Sequence, residues 1–114
     1  MNGKPTAKQK RFHDWCRSVR CVLSKDDPVI HHIKGAKMKL KGVEGYAGEW
    51  YVVPLSDYYH NPQSKNSVHE NRKQFERNWA TQKSLWLGLM YRYLEEFGEY
   101  PMSAEEYLII KDRA

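Results

Sequence analysis

Two short apolar stretches, residues 29–33 and 50–55, constrain the fold most, because the apolar spacing on either side of them is helical and theirs is not. Val29, Ile30 and Ile33 mark a strand that runs through His31 and His32. Trp50, Tyr51, Val52, Val53 and Leu55 mark a second strand, stopped by Pro54 near its end. A glycine-punctuated loop over 35–48 separates them, so the pair reads as a hairpin with a long connection. Upstream, Thr6 and Gln9 form a capping box for a helix over 7–18, where Phe12, Trp15, Cys16 and Val19 recur at helical spacing. Lys8, Lys10, Arg11 and Arg17 make its outer side basic, and Lys25 to Pro28 form a turn. Downstream, His-Asn-Pro-Gln-Ser-Lys-Asn at 60–66 is turn chemistry. Ser67 and Glu70 then open a helix that carries His69, Arg72 and Phe75 and ends near Trp79. Thr81 caps a further helix with an apolar stripe of Leu85, Leu89, Tyr93 and Phe97 before Gly98 stops it. Ser103 and Glu106 open a last helix that ends near Arg113. The predicted order is helix, strand, strand, helix, helix, helix: a mixed α+β chain forming one domain over 1–114.

Composition supports a folded chain with an anionic partner. Four Trp, eight Tyr and three Phe among 114 residues supply enough large apolar area for one modest core. The net charge is +5, and it is unevenly spread: residues 1–50 hold eleven Lys or Arg against five acids, whereas 93–106 hold five Glu and no base. Lys34, Lys37, Lys39 and Lys41 alternate through the glycine-containing loop, where they are accessible to phosphates. Such a run is ordinarily a solvated loop, so it gains meaning only beside a reactive site. The acidic stretch 93–106 reads as a helix closing the core with Tyr100, Met102, Tyr107 and Leu108. No apolar run approaches the roughly 20 residues needed to span a bilayer, and the polar start lacks the apolar middle of a signal peptide. A soluble, cytoplasmic protein without a membrane partner is therefore expected. Cys16 and Cys21 are too few for a disulfide framework and read as reduced core thiols.

The residues that carry chemistry are the histidines. His31 and His32 share a strand, His60 follows the second strand, and His69 lies in the first turn of the next helix. Alternate strand residues point to opposite faces, so His31 and His32 cannot share one role. One is suited to ligate a metal and the other to accept a proton from water at neutral pH. His13, on the first helix, belongs with the ordinary surface or satisfied buried histidines.

Three segments together resemble the HNH endonucleases, whose active site is the ββα-metal finger. They are Val-Ile-His-His-Ile-Lys-Gly at 29–35, Val-Val-Pro-Leu-Ser-Asp-Tyr-Tyr-His at 52–60 and Val-His-Glu-Asn-Arg-Lys-Gln-Phe-Glu-Arg-Asn-Trp-Ala-Thr at 68–81. Within that superfamily the chain is most similar to the small phage nucleases that act with RecA in recombination. The resemblance implies a ββα-metal core (His-Me finger) flanked by an N-terminal helix and C-terminal helices. It makes His31 a metal ligand, His32 the general base, His60 the residue at the middle position and a third ligand, and His69 a ligand from the helix. The implied cofactor is one divalent ion, Mg2+ or Mn2+ in function, with Zn2+ or Ni2+ able to bind. The implied reaction is hydrolysis of a DNA phosphodiester, with the ion on the phosphate and His32 on the attacking water. Arg72, one helical turn beyond His69, is placed to neutralise a neighbouring phosphate, and Lys65 and Lys73 flank the same edge.

The chain departs from its relatives at one place. Many of them carry a structural zinc on two cysteine pairs, where this sequence has Cys21-Val-Leu-Ser24 and Ser56-Asp-Tyr-Tyr59. One thiol cannot make a closed tetrahedral cysteine site, so no structural zinc is expected, and Tyr58, Tyr59, Trp15 and Trp50 are the expected filling. Nothing resembles a recognition helix or a base-stacking platform, so low sequence specificity is expected. Targeting would then come from a DNA structure, a recombinase filament or another phage DNA-processing protein, in the host cytoplasm if the chain is phage-encoded. Two alternatives stand beside the nuclease: a non-catalytic basic DNA-binding module that keeps the finger, and a histidine-rich metal-binding protein with no nucleic-acid role.

Overall fold

The structure, a computed structural model, describes residues 5–33, 39–40, 43–44, 47–60, 72–78 and 80–113. It is a mixed α+β arrangement. The first helix, α1 (Ala7–Val19), begins on the capping box expected for it. The Thr6 hydroxyl accepts from the Gln9 amide at 3.1 Å, and the Gln9 side-chain oxygen accepts from the Thr6 amide at 2.8 Å. Two orphan donors of the helix start are thereby satisfied.

The strands β1 (Pro28–His32) and β4 (Val52–Ser56) form an antiparallel pair in which His31 lies opposite Val53 and His32 opposite Val52. Pro54 does not stop β4; it sits in its middle, opposite Ile30. The ladder explains why this is tolerated. The Ile33 amide donates to the Tyr51 carbonyl at 3.0 Å, so bonded pairs alternate through 31/53 and 29/55, and the 30/54 pair is a non-bonded one. Proline lacks no ladder donor there, and its carbonyl points outward to accept from the Val22 amide at 3.1 Å.

Between these strands, where a loop was expected, β2 (Lys39–Leu40) and β3 (Val43–Glu44) form a two-residue antiparallel ladder. A single 3-10 turn, Ala47–Glu49, then leads into the second apolar stretch. Directly after β4 comes α2 (Asp57–His60), one helical turn that places His60 at its end rather than on an open loop. The helices α3 (Arg72–Asn78), α4 (Gln82–Phe97) and α5 (Ala104–Arg113) complete the order. The Ser67–Glu70 start and the Trp79 end expected for α3 lie outside the described residues.

The remaining helix ends follow the sequence signals. The Thr81 hydroxyl accepts from the Ser84 amide at 3.1 Å, and Gly98 adopts the left-handed conformation (φ 75°) while its amide donates to the Leu94 carbonyl at 2.8 Å. Ser103 and Glu106 close a reciprocal box at the start of α5. No helix among the described residues is long and apolar enough to cross a membrane.

β4 is the inner strand of the pair, and β1 keeps one face partly open. The helices α1 and α2 pack against both strands, α4 packs against β4, and every residue of β4 is buried. Phe12, Trp50, Phe75 and Trp86 are the largest side chains of the core, each worth roughly 1.5–3 kcal/mol on burial. The Trp86 indole N–H donates to the Trp50 carbonyl at 2.9 Å, which ties α4 to the approach of β4. The buried face of α4 is Gln82, Trp86, Leu89 and Met90, rotated from the expected stripe, and Phe97 is half exposed. Tyr93 instead meets Trp15 edge-on at 4.9 Å, so this part of α4 is covered by α1. In the C-terminal region Tyr100 and Tyr107 stack at 4.0 Å and Met102 is buried. Leu108 is exposed, and Ile110 takes the core position assigned to it.

Candidate catalytic and metal site

The period of β1 separates the two histidines as expected. His31 is 3% exposed and faces α2 and α4. Its Nε2 lies 2.7 Å from the Gln82 side-chain oxygen, in the first turn of α4, and its ring lies 5.2 Å from that of His60, edge-on. An amide oxygen only accepts, so Nε2–H is the donor in this contact. His60 is half-buried at the end of α2, which β4 carries directly to the β1 edge. His31 and His60 are thus two imidazoles brought together from residues 29 apart in sequence.

His32 is on the other face, with half of its side chain exposed. Its Nε2 lies 3.3 Å from the Glu49 carboxylate. Next to it is His13 of α1, whose ring meets that of His32 edge-on at 6.1 Å. The His13 Nε2 donates to the main-chain carbonyl of Glu49 at 2.7 Å and lies 3.8 Å from the same carboxylate. His13 is therefore a satisfied buried histidine, as expected, but one that borders the site.

His69, Lys34, Lys37, Lys41 and Lys65 lie outside the described residues, and Lys39 is placed on β2. Among the described residues no group of three or more His, Cys, Asp or Glu is arranged to hold a metal ion. The donor chemistry of the His31/His60 pair suits a divalent transition ion, and a further donor would have to complete it.

Arg72 and Lys73 open α3 and are exposed. Arg72 is paired with Glu76 one turn later, at 3.5 Å. Burial, with the Glu76 carboxylate adding to it, pushes the Tyr51 hydroxyl up from its usual range. Lys73, Glu76, Arg77 and Thr81 line a shallow groove of about 480 Å³ between α3 and the start of α4. Its cations offer phosphates a positive edge at low desolvation cost.

The corner formed by Cys21, Ser24, Ser56 and Tyr59 does assemble. Burial raises the Cys21 thiol, but the Ser24 hydroxyl and the amides of Leu23, Ser56 and Ser24 outweigh it and hold the group below the ordinary thiol range. Tyr59 is close enough to feel the Cys21 charge and packs its ring 6.3 Å from Phe75. Of the expected filling, only Tyr59 sits at this corner inside the fold. Tyr58 is half exposed, and Trp15 and Trp50 pack against Phe12 in the α1 layer. The aromatic side chains there are drawn to the larger core around α1 and α4. Both cysteines are free and buried.

Sequence reasoning missed Gln82, Glu49 and Arg77. Gln82 lies 51 residues from His31, and Glu49 lies 36 from His13 and 17 from His32, so no local pattern links them. Arg77 had a signal, since it follows Lys73 by one helical turn. Comparison of the chain with protein-family models, with curated proteins and with solved structures returned no match.

Proposed function

We propose that the protein is a metal-dependent DNA endonuclease of the HNH type, with a ββα-metal core made by β1, β4 and the helix that the sequence predicts at His69. The observation that carries this reading is the opposite orientation of two neighbouring histidines: His31 is turned inward against His60, and His32 is turned outward to solvent with a carboxylate behind it. His31 and His60 would hold a divalent ion, with His69 as the further donor. When bound, the ion would act as a Lewis acid toward the charge that develops on the scissile phosphate. His32 takes the proton of the attacking water, for which a neutral imidazole near neutral pH is suited. Arg72, Lys73 and Arg77 neutralise flanking phosphates, and Lys34, Lys37, Lys39, Lys41 and Lys65 are the further phosphate contacts that the sequence reading implies. These contacts position DNA without reading bases, so cleavage is of low sequence specificity, and a recombinase filament or another DNA-processing protein of a phage or its host supplies targeting. A compartment in the cytoplasm follows from the same reading.

A second reading is a basic DNA-binding module that keeps the finger without turnover. It is favoured by the lack of a three-ligand group among the described residues. Supercoiled plasmid incubated with the protein and Mg2+, Mn2+, Ni2+ or Zn2+ separates the two. Nicking that disappears in His32→Ala, with binding retained, is the expected result. Salt-sensitive binding without nicking in any ion supports the module, and neither binding nor nicking removes both readings.

A further inference from the structure

His13 and Glu49 form a built unit on the outward face of β1. The Glu49 main chain is tied to α1 by the 2.7 Å bond from His13, which is 7% exposed, so the backbone of the 3-10 turn is held at its last residue. The Glu49 side chain, about one-fifth exposed, reaches the Nε2 of His32 at 3.3 Å. A carboxylate only accepts hydrogen bonds, so the proton of a neutral His32 ring must reside on Nε2 for this contact to form. A free neutral imidazole is a mixture of tautomers only modestly weighted to Nε2–H, and an exposed side chain has rotamer freedom as well.

We propose that Glu49 is the positioning residue for His32: its carboxylate accepts the hydrogen bond from Nε2–H, orients the ring and leaves the lone pair on Nδ1, where the proton of a water molecule is received. The proposal rests on the nuclease reading for what that proton transfer serves, but the tautomer stands apart from it. Carboxylates and carbonyls behind a working imidazole fix which nitrogen is bare, and removing such a partner typically costs about 10–100-fold in activity. The unit also explains why a glutamate is half-sequestered beside two histidines in a chain of net charge +5.

The test is long-range proton–nitrogen NMR of the neutral His32 ring, assigned by its loss in His32→Ala, together with plasmid nicking. Glu49→Ala keeps the main-chain carbonyl that His13 binds, so its melting temperature should match that of the unaltered protein. In the unaltered protein the His32 ring should be protonated on Nε2. In Glu49→Ala the ring should shift toward a mixture of tautomers, and Glu49→Gln, whose amide can accept from or donate to the ring, should not restore a single one. Nicking should fall about 10–100-fold in Glu49→Ala through kcat, with KM for plasmid unchanged. Protonation on Nδ1 in the unaltered protein, or identical spectra with and without the Glu49 carboxylate, overturns the proposal. Nicking that depends on His32 but is indifferent to Glu49→Ala overturns it while leaving the nuclease reading intact. If no nicking occurs at all, the nuclease reading falls and the spectra alone decide the positioning.

Discussion

The two faces of β1 do opposite things with the same side chain. His31 is sequestered, with its ring against His60 and its Nε2 on Gln82, so its orientation is set by packing. His32, one residue on, is half open to solvent and is oriented by one carboxylate. A buried polar group must keep its partner because the unpaired group costs far more than the bond gains, whereas an exposed one can exchange its partner for water. The inward face is therefore bound up with stability even where it would hold the ion, whereas the outward face is open to solvent.

The contrast is most exposed to test at His32. His32→Ala should leave the melting temperature nearly unchanged, while nicking, on the proposed reading, falls about 10²–10⁴-fold, the usual worth of a general base. A large drop in stability from this variant would erase the distinction between the faces. Next in size, His31→Ala should destabilise by about 1–3 kcal/mol in denaturant unfolding, because it strands the buried Gln82 amide. Gln82→Ala should cost a similar amount, and the double variant much less than the sum. Additive losses would mean that the 2.7 Å contact carries no coupling.

Thr81→Ala, which removes the cap just before Gln82, should cost about 1 kcal/mol. If the start of α4 frays as a result, the His31 ring resonances should broaden while those of His32 stay sharp. The smallest effect belongs to the surface. Arg72→Ala should change stability by only about 0.2–0.5 kcal/mol through its Glu76 pair, yet lower the slope of log affinity for DNA against log salt by about 1. An unchanged slope would take Arg72 out of the phosphate contacts.

The elements themselves were legible because their signals are local. The Thr6–Gln9 and Ser103–Glu106 boxes, the Thr81 cap and the Gly98 stop all act within four residues, and each occurs where the sequence places it. The separation of His31 from His32 was legible for the same reason, since it follows from the strand period. Pro54 was misread as a strand end because tolerance of proline depends on which ladder pairs are bonded, and that is fixed by the partner strand. The buried face of α4 was misread because Trp86 finds the Trp50 carbonyl and Tyr93 finds Trp15, neither of which is a neighbour in sequence. Hydrophobicity places Leu108 inside, and the missing cysteine pair places Tyr58 there, but the positions they occupy on their helices face outward.

The sequence by itself determined where helices start and stop, that two short strands pair, and that adjacent histidines face apart, because each rests on interactions spanning a few residues. Only the tertiary structure decided that Gln82 holds His31, that Glu49 stands behind His32 and that His13 anchors Glu49. Those partners are 51, 17 and 36 residues apart, and nothing short of the packed arrangement of α1, β1 and α4 brings them within hydrogen-bonding distance.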